Sequence, residues 1–511
     1  MCLALVKFTA LASFLAALHS PAQSSERSPL GAVVPHRYLV AFRNGTLPGF
    51  TQAYARIAGA YLLRNYSASN IALVQADPET NDDTTLAALA AQPNVILAVH
   101  DRIVSAHTIT ARPAVSVTTR APPATANPYD TYYTSTPQRW AVVQAGGYGA
   151  GIPGGPAYGP WDTTRGAGVR IAILDSGVDA NHPDIAPNLA LNLSEIDQAQ
   201  NTGLPSPCDI GGPEDQQGHG TWVASLAAAA SGPGTGLTIG VAPAATILNI
   251  KVIERLPDPS STASDIATQC RTGQAGGLLS WVLQGIEDAV TNHADVINIS
   301  LGTLVDLNTG EGAGLQALFN QATYAATQSG TVVIASAGND GVELSNPRYI
   351  ELPAQSRGVL AVVASTNPGC TENLTPGAAC ASGQATLPYY SNFGTALNAI
   401  AAPGGSYPDG PINGVSGWVL GACSSGLPNT SDGVPSDAAH SFGCFNLGHT
   451  AYVQAMGTSA SAALVSGAAA LVRTAHPNWS SDQITAALRN AATPTLSLAA
   501  APLLDISQIV R

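Results

Sequence analysis

The stretch Val169-Arg-Ile-Ala-Ile-Leu174-Asp175-Ser-Gly177-Val-Asp179 is an apolar run that stops at a carboxylate and then at a glycine able to turn sharply. A run that is apolar at nearly every position suits a strand covered on both faces, the normal state of a parallel sheet. Five similar runs follow: Thr246 to Ile250, Val296 to Ser300, Thr331 to Ser336, Val359 to Val363 and Leu397 to Ala401. Helical patterns alternate with them at Thr221 to Ala230, Leu278 to Asn292 and Gly314 to Ser329, and a last one spans Ser459 to Ala475. Alternation of this kind specifies an α/β fold, with a mostly parallel sheet and helices on both faces.

Asp175 on its own reads as a turn or cap residue, the commonest role of an Asp after a strand. Two further segments change that reading. Gly218-His219-Gly220-Thr-Trp222-Val-Ala224 sets a histidine between glycines at the head of a small-residue helix. Gly457-Thr458-Ser459-Ala460-Ser-Ala-Ala463-Leu464-Val-Ser-Gly467 sets a serine at the head of another, where it would also serve as an N-cap. A base, a group to orient it and a hydroxyl are what nucleophilic catalysis by serine requires.

At these segments the chain resembles the subtilisin-like serine peptidases, whose triad runs Asp, His, Ser along the chain. The resemblance extends through His182-Pro-Asp184, Gly240-Val-Ala-Pro243, Asn298-Ile-Ser-Leu-Gly302, Ser336-Ala-Gly-Asn339 and Ala402-Pro-Gly404, over about residues 160 to 495. It implies Ser459 as nucleophile, His219 as general base and acid, and Asp175 as the group that orients the imidazole. It implies an oxyanion hole made by Asn339 and the Ser459 backbone N–H, and substrate strands pairing with Ser300-Leu301-Gly302 and Ala335-Ser336-Ala337. The small and apolar make-up of those two segments predicts an apolar or aromatic residue at P1, the acyl side of the cut bond. Glu343 and Glu351 are the acids that would turn the pocket towards Lys or Arg. Where the family usually has Met, Pro-His and a second His, this chain has Ala460, Ala463-Leu464 and Trp222.

The 511 residues exceed the usual size of a single core, so two folding units are expected. Residues 1–22 carry one Lys, an apolar stretch and Ser20-Pro21-Ala22, and read as a signal peptide too short to anchor in a bilayer. Residues 23–106 read as a small α/β unit, with strands at Tyr38 to Phe42, Ile71 to Gln75 and Val95 to Val99 and a helix at Thr84 to Ala91. Tyr38-Leu-Val-Ala-Phe42 and Pro93 to His100 resemble the family's inhibitory propeptide. Residues 107–136 form a Pro-rich linker holding the maturation site, and residues 137–511 the catalytic domain.

Cys2 lies in the expected signal, which leaves Cys208, Cys270, Cys370, Cys380, Cys423 and Cys444. An even count in a secreted chain suits three disulfides. Spacing suggests Cys370 with Cys380 and Cys423 with Cys444, leaving Cys208 for Cys270. No zinc spacing is present. Gly149-Ala-Gly151-Ile-Pro-Gly154 fits a dinucleotide pattern, but it follows no strand and contains Pro153, so it reads as a loop.

A net charge of −13 gives no basis for nucleic-acid or anionic-membrane binding. The expected protein is a secreted monomer, extracellular or periplasmic, acting on protein or peptide substrates and inhibited by its own propeptide. No cofactor is required for the chemistry. The Asn-rich calcium loop of many family members is replaced by Ser231 to Leu237, so that site does not carry over. Asp179, Asp184 and Asp306 leave structural calcium open and the metal assignment unknown. A catalytically weak relative that binds peptides is the alternative reading.

Overall fold

The computed structural model describes residues 33–106, apart from 44–55 and 57–58, and residues 140–511, apart from 151–157, 197–205, 210, 233–237, 258–261, 272–273, 347, 367–384, 407–418, 426–443, 448–449 and 494–500. The expected signal peptide, the linker and the Cys370–Cys380 pair lie outside the described residues.

In the N-terminal unit, strands β1 (Val33–Phe42), β2 (Ala60–Tyr66) and β3 (Ile71–Ala76) are followed by helix α1 (Asp82–Ala90) and strand β4 (Val95–Ala106). Asn81 caps α1 by accepting from the Thr84 N–H at 3.0 Å. The four strands pair antiparallel in the order β4-β1-β3-β2. Side chains alternate across a strand, so Tyr38, Val40 and Phe42 pack towards α1 while Leu39 and Ala41 join a larger core on the other face. β2 is absent from the sequence reading, because its Tyr61-Leu-Leu-Arg-Asn stretch has no clean alternation.

The larger unit continues with β5 (Arg170–Asp175), β6 (Leu189–Ser194), α2 (His219–Ala228), β7 (Thr246–Lys251), β8 (Glu254–Arg255), β9 (Ala275–Leu278), α3 (Leu279–Thr291), β10 (Val296–Ile299), β11 (Leu301–Asp306) and α4 (Gly310–Gln328). Then come β12 (Val332–Ser336), β13 (Tyr349–Leu352), β14 (Val359–Ser365), β15 (Ala399–Pro403), the antiparallel set β16 (Val419–Ala422), β17 (Phe445–Leu447) and β18 (Thr450–Ala455), and helices α5 (Thr458–Ala475) and α6 (Ser481–Ala491).

Seven strands form a parallel sheet in the order β15-β14-β12-β10-β5-β7-β6. Six of them are the apolar runs read from the sequence. Ile171 and Ile173 face a core shared with α2 and α5, whereas Ala172 and Leu174 face one shared with α3 and α4. Full burial of each large aliphatic side chain contributes about 1.5–3 kcal/mol, which is why both faces must be covered. The helices therefore lie on both faces, as the alternation predicted. Small residues set the spacing: a Cβ on Gly467 of α5 would sit 2.6 Å from the Ala227 carbonyl oxygen of α2.

Two disulfides staple the outer segments, Cys208–Cys270 with Cα atoms 5.2 Å apart and Cys423–Cys444 at 5.9 Å. Both pairings are those suggested by the spacing. Among the described residues no helix is long and apolar enough to cross a membrane.

Candidate active site

Asp175 ends β5 with its backbone tied to the next strand's exit, since the Val252 N–H donates to its carbonyl at 2.8 Å. Its Oδ1 accepts from the Ser176 N–H at 2.7 Å and from His219 Nδ1 at 2.7 Å, and both side chains are fully buried. Glycines make this approach feasible. Gly177 turns at φ +104°, and a Cβ on Gly220 would lie 2.1 Å from the Gly177 carbonyl oxygen.

Asp215, which the sequence reading did not single out, holds the histidine loop. Its Oδ1 accepts from the N–H groups of Gln217 at 2.9 Å and Gly218 at 2.7 Å, and from the Ser176 hydroxyl at 3.0 Å. Its Oδ2 accepts from the Thr221 N–H and hydroxyl. Burial pushes the Asp215 carboxyl up, and the bonds from Gly218, Thr221 and Gln217 oppose that shift. An Asp three residues before a Gly-His-Gly turn, at helix-capping distance, was the available signal.

Ser459 stands in the first turn of α5, close behind Gly457. Its hydroxyl donates to the Ser300 carbonyl at 3.1 Å, and the Ser300 hydroxyl donates to the Ser459 carbonyl at 3.2 Å. Asn339 Oδ1 accepts from the Thr458 N–H at 3.0 Å and the Thr458 hydroxyl at 2.8 Å, which fixes the amide beside Ser459. Positive potential at the N-terminus of α5 adds to that of the Ser459 N–H. Trp222 is fully buried beside His219, with ring centroids 5.8 Å apart, and donates to the Val419 carbonyl at 3.2 Å. Trp222 therefore supports the β16–β18 layer, which follows β15. Ala460, Ala463 and Leu464 are all fully buried in the core shared by α2 and α5.

The N-terminal unit ends against this site. β4 runs between two strands of the larger unit, with Ala106 opposite Leu301 and Ser105 opposite Gly302 on one edge, and Ser105 opposite Gly276 and Val104 opposite Gly277 on the other. Leu301 and Gly302 thus pair with an extended segment of the same chain, and Ser300 directly precedes them. The second edge is β9, which the sequence reading missed, because Ala-Gly-Gly-Leu has no strand propensity of its own. Ala335 and Ser336 lie in β12 within the parallel sheet, and Ala337 directly follows it.

The acids considered for a metal are engaged by protein donors. Asp179 Oδ2 accepts from Ser425, Asp184 Oδ2 from Thr238, and Asp306 Oδ2 from Arg348. Among the described residues no group of three or more His, Cys, Asp or Glu side chains is placed to hold a metal ion.

Residues 166–502 match the subtilase family, peptidase S8. Thermitase of Thermoactinomyces vulgaris is 30% identical over 272 residues, covering 51% of this chain and 76% of that protein. Subtilisin NAT of Bacillus subtilis subsp. natto is 30% identical over 328 residues, covering 64% of this chain and 61% of that protein. In fold, the chain is similar to the epidermin leader peptide processing serine protease of Staphylococcus aureus, with a TM-score of 0.57 at 20% identity, over 93% of this chain and 98% of the other.

Proposed function

The chain belongs to the subtilase family and is a subtilisin-like serine peptidase, and on that footing we propose that it is a secreted endopeptidase using Asp175, His219 and Ser459. The observation that carries this reading is the fully buried 2.7 Å contact between His219 Nδ1 and Asp175 Oδ1, at the carboxyl ends of the parallel strands, where Asn339 follows β12 and Ser459 bonds Ser300 just after β10. Asp175 holds the proton on Nδ1, leaving Nε2 to act as base. Ser459 Oγ attacks the substrate carbonyl carbon and its proton passes to His219. The oxyanion takes hydrogen bonds from the Ser459 N–H and the Asn339 amide. Collapse breaks the C–N bond, with His219 returning the proton to the leaving amine. Water, activated by the same imidazole, then attacks the acyl-enzyme and frees Ser459.

The N-terminal unit is the inhibitor in this reading. Its β4 occupies the groove between β9 and β11 as an extended peptide would, and the buried Arg37–Asp101–Ser280 network and Tyr66 bond it to α3. Long-range parallel pairing folds slowly, which gives a templating unit its use. The N-terminal residues 1–22 and the buried disulfides support export to an oxidising compartment. Self-cleavage falls within the Pro-rich segment that follows β4.

Ser459→Ala removes one hydroxyl and tests the reading. Purified without other proteases, it should remain at precursor length, whereas wild type shortens by about 85 to 115 residues, the span set by the Pro-rich linker. A Ser459→Ala protein that shortens equally would refute self-cleavage by this triad.

A further inference from the structure

We infer that Glu351 sets the side-chain preference of the cleft, directing cleavage to bonds that follow lysine or arginine. The inference rests on the reading of Ser459 as nucleophile and extends it to a substrate class.

Sheet register places Glu351. β13 pairs antiparallel with β11, setting Glu351 opposite Leu304, and β11 pairs on its other edge with β4, setting Gly302 opposite Ser105. Directly opposed residues share a face, and faces alternate along a strand. Glu351, Leu304, Gly302 and Ser105 therefore lie on one face. A peptide lying as β4 does sends every second side chain towards the face that carries Glu351. Two residues before Gly302 is Ser300, whose carbonyl accepts from the Ser459 hydroxyl.

The opposite wall is the turn that carries Asn339. A Cβ on Gly338 would lie 3.1 Å from Glu351 Oε2, so the acid stands against the residue that precedes the proposed oxyanion donor. Asn392 Oδ1 fixes this turn by accepting from the N–H groups of Asp340 at 3.0 Å and Val342 at 2.9 Å. Reciprocal bonds at 2.8 Å clamp the acid's backbone, Glu351 N–H to Gln355 Oε1 and Gln355 N–H to the Glu351 carbonyl. Gly302 and Gly338 contribute no side chains, so the proposed recess is flanked by their backbone, with the Asn392 amide, its Nδ2 2.2 Å from where a Gly338 Cβ would stand, packed beside the acid. The fully buried carboxyl group marks its inner end.

Chemistry then selects the occupant. An ammonium or guanidinium group forms charge-assisted hydrogen bonds with a carboxylate, stronger in a site shielded from water. An aliphatic or aromatic group would press apolar surface on the carboxylate and supply no such bond. Glu343, the other acid of this segment, is exposed and accepts from the Ser345 N–H at 3.1 Å. The small residues that suggested an apolar preference form the walls, and the buried acid decides what enters.

The test uses processed enzyme and peptide substrates that differ only at P1, carrying Arg, Lys, Phe or Leu. Wild type should show kcat/KM for Arg and Lys about 10- to 100-fold above Phe and Leu, the range of a hydrogen bond to a charged group. Glu351→Gln should lower that ratio about tenfold or more, and Glu351→Lys should shift preference towards a P1 Glu. A wild-type preference for Phe or Leu overturns the inference, as does a ratio unchanged in Glu351→Gln. The wild-type panel decides the matter by itself if a variant does not fold. A fluorophosphonate, which presents no P1 side chain, reports the nucleophile separately. Labelled enzyme that prefers Phe overturns the role of Glu351 alone, whereas no labelling and no cleavage of any peptide overturns the reading of Ser459 together with it.

Discussion

Helix α5 and the N-terminal unit both cover a face of the central parallel sheet, α5 directly and the N-terminal unit by way of α3 and α4, yet they use different surfaces. Every α5 residue from Thr458 to Val472 is buried, and its contacts are mainly Ala, Val, Leu and Gly, with Ser466 bonded to Asn298 as a polar exception. The N-terminal unit combines an apolar patch of Leu39, Ala41 and Val99 with polar and ionic links: Arg37 and Asp101, themselves paired, to Ser280, Arg102 and His100 to Glu311, and Arg64 to Glu195. Exposing the first surface would cost hydrophobic free energy that its few hydroxyl groups offset only slightly. Charged groups of the second recover hydration on separation, so attraction across it is partly balanced. The first surface suits a permanent part of the fold, and the second suits the proposed role of the N-terminal unit as a removable inhibitor.

In the proposed reading the permanent half carries the chemistry, and Asn339→Ala should perturb it most among the variants that keep the nucleophile. Loss of one oxyanion donor lowers turnover about 100- to 1000-fold while KM changes little, because the donor acts on the transition state. Steady-state kinetics showing near wild-type turnover would remove Asn339 from the oxyanion hole.

The removable half should respond to Glu311→Gln, which takes the charge from the link to His100 and Arg102. Release of the cleaved N-terminal unit, followed as the onset of activity, should become about tenfold faster, as expected for a partly buried charge pair losing one partner. An unchanged onset would mean that strand pairing and apolar contact alone hold the two halves together.

The smallest effect expected is electrostatic. Burial, reinforced by the charges of Asp179 and Asp215, pushes Glu214 up to about 7 from 4.5. The folded chain retains this proton where the unfolded chain has lost it, so its contribution to stability is present below about pH 4.5 and is lost as the pH rises through 7. Glu214→Gln should flatten the decline in thermal midpoint across that window. Partial exposure limits the effect to about 1 kcal/mol. Superimposable pH profiles would contradict the assignment.

Legibility from sequence follows from how local each determinant is. β5, β10 and β12 are buried on both faces, so continuous apolar runs reveal them. β6 lies at the sheet edge with half-buried residues, and Leu-Ala-Leu-Asn-Leu-Ser reads as no definite element. β9 exists as a strand because β4 and β8 pair with it, a tertiary cause that Ala-Gly-Gly-Leu cannot announce. Within the candidate site, Asp175, His219 and Ser459 sit in short motifs whose glycines have local steric reasons. Asp215 works through four bonds to its own loop and one from Ser176, and Glu351 through register across three strands. The first leaves only the spacing of an Asp before the Gly-His-Gly turn as a mark in the sequence, and the second leaves none.

The central claim is that one hydroxyl, that of Ser459, is the nucleophile. Peptide mapping of the processed enzyme after reaction with a radiolabelled or mass-tagged fluorophosphonate tests it most directly. The account predicts a single stoichiometric adduct on Ser459, lost in His219→Ala because the base is gone. An adduct on another serine, with Ser459 unmodified, would contradict it.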